Sequence, residues 1–114
     1  MWSKLEEVFK EIGLPYFRQG SFSDESEYPE SFFTFWNPNT KDGAFYDDEA
    51  HKSEWHWNVY YYTNDPSTLY SRMEDFIEIA KEVGFIIEGR GFDVKSDRTD
   101  YPGRMIRIIY VETL

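Results

Sequence analysis

The stretch from Asp65 to Gly84 constrains the fold most, because it carries a helix start, a helical period and a helix stop in one segment. Asp65 is placed to accept from the first free backbone N–H groups, and Pro66 falls where a missing N–H costs nothing. Leu69, Met73, Phe76, Ile77 and Ala80 recur at three- and four-residue spacing and predict one buried stripe. Arg72, Asp75, Glu78, Lys81 and Glu82 make the solvated side, and Gly84 supplies a left-handed stop. A helix with one apolar stripe needs a flat apolar partner, and the segments on either side read as strands.

Upstream, Trp55-His56-Trp57-Asn58-Val59-Tyr60-Tyr61-Tyr62 alternates. Trp55, Trp57, Val59 and Tyr61 are expected to face the core, with His56, Asn58, Tyr60 and Tyr62 on the other side. Ser31 to Trp36 is a second aromatic strand, expected to stop at the turn formers Asn37-Pro38-Asn39-Thr40-Lys41-Asp42-Gly43, with Gly43 to Tyr46 starting a return strand. Downstream, Phe85 to Gly91 reads as a strand that loosens at its glycines. Arg104 to Glu112 reads as a central strand, apolar on nearly both faces and covered on one side by helices. Near the start, Leu5, Val8, Phe9 and Ile12 line a short helix, with Ser3 and Glu6 spaced as a capping box and Gly13 and Pro15 ending it. The expected fold is α+β, in the order α-β-β-β-α-β-β: a mixed, largely antiparallel sheet of four to five strands with two helices packed on one face. Residues 1–114 are expected to form a single domain with a mobile acidic loop from about Asn37 to Glu54.

Charge narrows the function. Twelve basic against 22 acidic residues give a net charge of −10, which repels phosphate backbones and anionic membrane surfaces. Direct nucleic-acid binding and membrane binding are therefore not expected. Nine acids against two lysines fall between Ser21 and Glu54, so most of the net charge sits in that third of the chain. Aromatic residues make up 20% of the chain, enough to supply an interface as well as a core. There is no cysteine, which removes disulfides, thiolate metal sites and a cysteine nucleophile. The N-terminal residues lack a signal-peptide apolar stretch, and the expectation is a soluble protein made in a cytoplasm.

No catalytic, cofactor-binding or metal-binding motif emerges, and the chain is not expected to be an enzyme. Asp47-Asp48-Glu49-Ala50-His51 collects hard oxygen donors and an imidazole, but it lacks the register and turn glycine of a calcium loop and reads as a solvated acidic segment. Glu54, His56 and Asn58 share a strand face, where a carboxylate–imidazole pair could act as a general base. No nucleophile accompanies it, so a hydrogen-bonded histidine on a half-exposed strand is the plainer account. Gly89-Arg90-Gly91 follows a strand as a phosphate loop does, yet no helix follows it, and a bulge fits better.

The stretch Tyr60-Tyr61-Tyr62-Thr63-Asn64-Asp65-Pro66 leads into the helix through Phe76, Ala80, Lys81 and Gly84-Phe85. Together with Gly89-Arg90-Gly91, Asp93 and Gly103-Arg104, it resembles small tail-module proteins of long-tailed bacteriophages and prophages. The element order is similar to that of tail terminator and tail-completion proteins of the head-tail joining type, and the resemblance covers about Glu30 to Leu114. It implies a structural virion protein assembled in the host cytoplasm. Such a protein forms a homo-oligomeric ring, a hexamer in expectation, whose partners are the tail tube protein and a head-completion protein. It also implies that the excursion from about Asn37 to Glu54 orders against a neighbour. Phe45, Tyr46, Asp47, Asp48, Glu49 and Trp55 are the interface residues this suggests. A second reading from charge alone is an acidic DNA mimic that inhibits a host nucleic-acid enzyme.

Overall fold

The computed structural model describes residues 2–18, 29–46, 49–95 and 101–113, with the backbone alone at residues 39, 41–46 and 49–51. Helix α1 spans Trp2–Ile12 and buries Leu5, Val8 and Phe9. Ser3 lies inside its first turn rather than at a cap, because the helix already holds Trp2, whose ring stacks on Phe35 at 4.8 Å with 20° between the planes. Gly13 ends α1 at φ +77°, its N–H donating to the Phe9 carbonyl at 3.1 Å.

The second helix forms as its sequence requires. Asp65 Oδ1 accepts from the Ser67 N–H at 3.1 Å and caps a single 3₁₀ turn, Pro66–Thr68, that feeds α2, Leu69–Val83. Leu69, Met73, Phe76, Ile77 and Ala80 are all buried. Gly84, at φ +116°, and Phe85 close the helix end, the Phe85 N–H reaching the Ala80 carbonyl at 2.9 Å. Phe85 is itself buried, the apolar contact that accompanies this kind of stop.

The strands are β1 (Tyr16–Arg18), β2 (Ser31–Tyr46), β3 (Glu49–Thr63), β4 (Ile86–Val94) and β5 (Gly103–Thr113), ordered β1-β2-β3-β5-β4 in one sheet. Only β1 and β2 run parallel. The architecture is α+β, and β5 takes the inner position its apolar run predicts. Two strands differ from expectation. β1 is an unexpected three-residue strand, and the segments 31–36 and 43–46 are two parts of one long β2 rather than a strand and its return.

The expected turn at 37–43 is therefore strand, and so is the expected loop from Asn37 to Glu54 on both sides of residues 47 and 48, which lie outside the described residues. The physical reason is a bulge. Trp36 pairs with Asn58 and Asn39 with His56, so Asn37 and Pro38 together oppose Trp57. Proline cannot donate to a ladder, and a bulge in an edge stretch is where a strand tolerates it. Asn37 replaces the lost bond with its side chain, Nδ2 donating to the His56 carbonyl at 2.8 Å, and its Oδ1 accepts from the Thr40 hydroxyl at 3.2 Å.

Both helices pack on one face of the sheet. Phe9 lies at the centre, with ring centroids 4.8 Å from Tyr16, 5.5 Å from Phe33 and Phe35, and 5.7 Å from Phe76. Trp57, Val59 and Tyr61 of β3 and Ile106 and Ile108 of β5 complete this core, as the alternation predicts. The other face carries a smaller aromatic group in which Phe32 meets Phe17, Tyr62 and Tyr101.

The sheet tapers. Across Tyr61 it is five strands wide, from Tyr16 through Phe33, Tyr61 and Arg104 to Asp93. Among the described residues it has four strands across Asn58, three across Trp55 and two across Ala50. The molecule is 53 Å long, with a radius of gyration of 15.3 Å, against roughly 13 Å for a compact chain of this length.

Candidate functional site

Two features away from the helix-covered core carry unsatisfied chemistry: a polar notch in the open face of the sheet and the narrow end of the β2–β3 hairpin. The notch lies in the four-strand row Trp36, Asn58, Arg107 and Glu88, which are successive partners across β2, β3, β5 and β4. This row is the last regular one before the β2 bulge on one side and a second bulge in β4 on the other, where the register shifts between Glu88 and Phe92. Gly89 and Gly91 make the second bulge with φ of +75° and +90°, so Gly89-Arg90-Gly91 is a bulge and not a phosphate loop. Bulges re-aim side chains and part the strands locally. Here they leave a concavity of about 320 Å³ lined by Pro38, His56, Trp57, Asn58, Glu88, Arg107 and Ile108.

Asn58 is 7% exposed, yet among the described residues its side-chain amide forms no hydrogen bond. Asn58 is not one of the side chains whose polar atoms are sealed from solvent without a partner, so its amide opens into the concavity, where water or a ligand can bond it. Arg107 and Glu88 are exposed and adjacent in register, but no ion pair joins them or holds either elsewhere among the described residues. Trp36 closes the row at 42% exposure.

His56 borders the same concavity and shares its Nε2 with Glu54 Oε1 at 3.2 Å, both side chains partly exposed. The carboxylate–imidazole pair expected on this strand face therefore forms. Among the described residues no serine, threonine or cysteine lines the concavity. Among the described residues no cluster of three or more His, Asp or Glu side chains could hold a metal ion, and no helix is long and apolar enough to cross a membrane.

Of the suggested interface residues, Phe45, Tyr46 and Glu49 have their backbone at the narrow end. Phe45 pairs with Ala50 and Tyr46 with Glu49 in the backbone ladder, where only two strands remain. Asp47 and Asp48 fall outside the described residues. Trp55 lies farther back, half-buried against the core and stacked on Trp57 at 6.3 Å with 14° between the planes. Both indole N–H groups are buried without an acceptor among the described residues.

The notch was not read from the sequence, because its members come from four strands and meet only through register. One signal existed: Arg107 is the lone charge inside the run Met105 to Val111. No protein-family model matches the chain, and no curated protein is similar to it.

Proposed function

We propose that this chain is a structural assembly protein of a long-tailed bacteriophage or prophage, a tail terminator or tail-completion protein that works as a homo-oligomeric ring at the head-tail junction. The resemblance of residues 60–66, 76, 80–81, 84–85, 89–91, 93 and 103–104 to tail-module proteins suggests the family. The observation that carries the assembly role is the taper of the sheet. A two-stranded ribbon is marginal by itself in water, and an unpaired strand edge is a template for another chain. From Trp36 to Tyr46, β2 has no strand on its outer side among the described residues, and among those residues the pairing of β3 with β5 reaches as far as Lys52. The same stretch carries Asp42, Phe45, Tyr46, Asp47, Asp48 and Glu49. Large rings and a complementary subunit surface would complete this edge, with aromatic burial offsetting the ordering cost.

In this role the protein performs no chemistry. It caps the growing tube, meets the tail tube protein on one side and a head-completion protein on the other, and ends in the virion. Light scattering behind size-exclusion chromatography, at rising concentration and with tube protein added, tests the reading. A discrete ring, and electron micrographs with density on tube ends, are the expected results. A strict monomer that never decorates a tube end overturns it.

A further inference from the structure

We propose that the notch between the two bulges is a carboxylate-binding site, with the Arg107 guanidinium and the Asn58 amide as its donors. This site is independent of the ring: it rests on the open face of the sheet, not on the narrow end.

The grounds are geometric. Asn58 is 7% exposed and makes no hydrogen bond among the described residues, and it lines an open concavity, so its amide is free to bond a ligand that enters there. Arg107 is its direct partner across β3 and β5, and opposite residues in such a pair hold their Cβ atoms about 4.5–5.5 Å apart. A guanidinium presents a rigid planar fork that matches a carboxylate, and a neighbouring amide N–H adds a third donor on one side. Among the described residues no carboxylate occupies that fork, although Glu88 stands beside it in register.

The choice of a carboxylate over a phosphate follows from charge. Among the described residues Arg107 is the only arginine or lysine lining the concavity, Glu88 lines it too, and Glu54 is hydrogen-bonded to His56 at its border. A single guanidinium flanked by acids on a chain of net charge −10 can hold a monoanion far better than a dianion. Asn58 Oδ1 remains as an acceptor, suited to the backbone N–H beside an acidic side chain, and Trp36 at the end of the row offers an exposed aromatic surface. An acidic residue in a peptide satisfies all of these at once; a small organic acid satisfies only the fork.

The experiment is an NMR titration of the full chain, following the Asn58 side-chain amide and the Arg107 Nε–H. Three probes are used separately: acetate, a peptide with one carboxylate, acetyl-Ala-Phe-Glu-Ala-amide, and inorganic phosphate. Saturable shifts at both groups are expected with acetate and the peptide. Peptide binding at least tenfold tighter than acetate identifies a peptide-borne carboxylate, and equal affinities identify a small acid; both support the site. Arg107 is exposed, so Arg107→Gln should fold normally and abolish the shifts, while Glu88→Gln should tighten binding about two- to fivefold by removing a like charge. The proposal is overturned if neither carboxylate shifts Asn58, if the shifts survive in Arg107→Gln, or if phosphate binds as tightly as the peptide. A monomer that binds acetate here would leave this site standing while removing the ring.

Discussion

The two ends of the β2–β3 hairpin use the same two strands in opposite ways. At the wide end, Phe33 and Phe35 face Tyr61 and Val59 beneath two helices, with β1 on one flank and β5 and β4 on the other. At the narrow end, Phe45 pairs with Ala50 in the backbone ladder, with no third strand among the described residues. The pairing pattern is continuous, but the source of stability is not. Wide-end strands are held by packing, whereas the narrow-end strands are described by their backbone ladder, and a two-stranded ladder alone is marginal in water. The difference teaches that the hairpin is a strut at one end and an arm at the other, with the Asn37–Pro38 bulge as the joint between them.

The sharpest way to break this comparison is to delete one phenyl ring at each end. Phe76 is fully buried against Phe9 and Phe33, so Phe76→Ala should cost about 3–5 kcal/mol in urea unfolding, enough to threaten the fold. Phe45→Ala should cost the monomer less than about 0.5 kcal/mol while weakening any assembly. Hydrogen exchange should agree, with slow amides at Val59 and Tyr61 and fast ones near Ala50. A large loss of monomer stability in Phe45→Ala would show the arm to be packed and the contrast to be mistaken.

The next effect concerns the bulge in β4. At Gly91 the backbone has φ +90°, and a Cβ there would lie 2.5 Å from the Met105 carbonyl oxygen. At Gly89 φ is +75° with open space around it. Gly91→Ala should therefore destabilise by about 1–3 kcal/mol and Gly89→Ala by about 1 kcal/mol, the conformational cost alone. The ordering is the test, because equal losses would mean that β5 does not approach this bulge closely. Arg104 braces the same place, its Nη2 donating to the carbonyls of Arg90 at 3.2 Å and Gly91 at 3.1 Å.

A smaller change tests the joint itself. Asn37→Ala removes the side-chain bond to the His56 carbonyl and should cost about 1 kcal/mol. Faster exchange should follow in residues 39–56, with little change at 57–63. If the whole sheet exchanged faster instead, wide and narrow ends would form one cooperative unit and the joint would not divide them.

These contrasts also explain what the sequence could disclose. The helix Asp65 to Gly84 was legible because its period, cap and stop all point the same way, and every residue of its stripe is buried. The β3 alternation was legible for the same reason. The length of β2 was not, since seven consecutive turn formers are a strong local signal, and only the bulge and the Asn37 side chain reconcile them with a strand. β1 was hidden by its brevity: three residues after Pro15 carry no period, and pairing with Phe33 to Phe35 creates the strand. The notch was hidden by distance, Trp36, Asn58, Glu88 and Arg107 being neighbours through register alone.

The least effect expected is also the most local, and it belongs to the wide end. Tyr70, at the start of α2, donates its hydroxyl to Asp93 Oδ2 at 2.9 Å, and Arg104 Nη1 donates to Asp93 Oδ1 at 2.8 Å. The Arg104 guanidinium also lies 4.8 Å from the centre of the Tyr70 ring. The hydrogen bond to Asp93 raises the Tyr70 pKa above its usual value, the Asp93 charge and slight desolvation adding to it and Arg104 opposing them. Because the folded protein holds this proton more tightly than the unfolded chain, the contribution to stability is fully present below about pH 10 and is lost as pH rises through the raised value. In an ultraviolet titration Tyr70 should ionise above the ordinary range, and Asp93→Asn should bring it down. The fastening ties α2 to β4 and β5 and touches nothing beyond the Asn37–Pro38 joint, so exchange near Ala50 should be the same on both sides of that titration. A change there would mean that the arm senses α2 through the sheet, and the division between strut and arm would have to be redrawn.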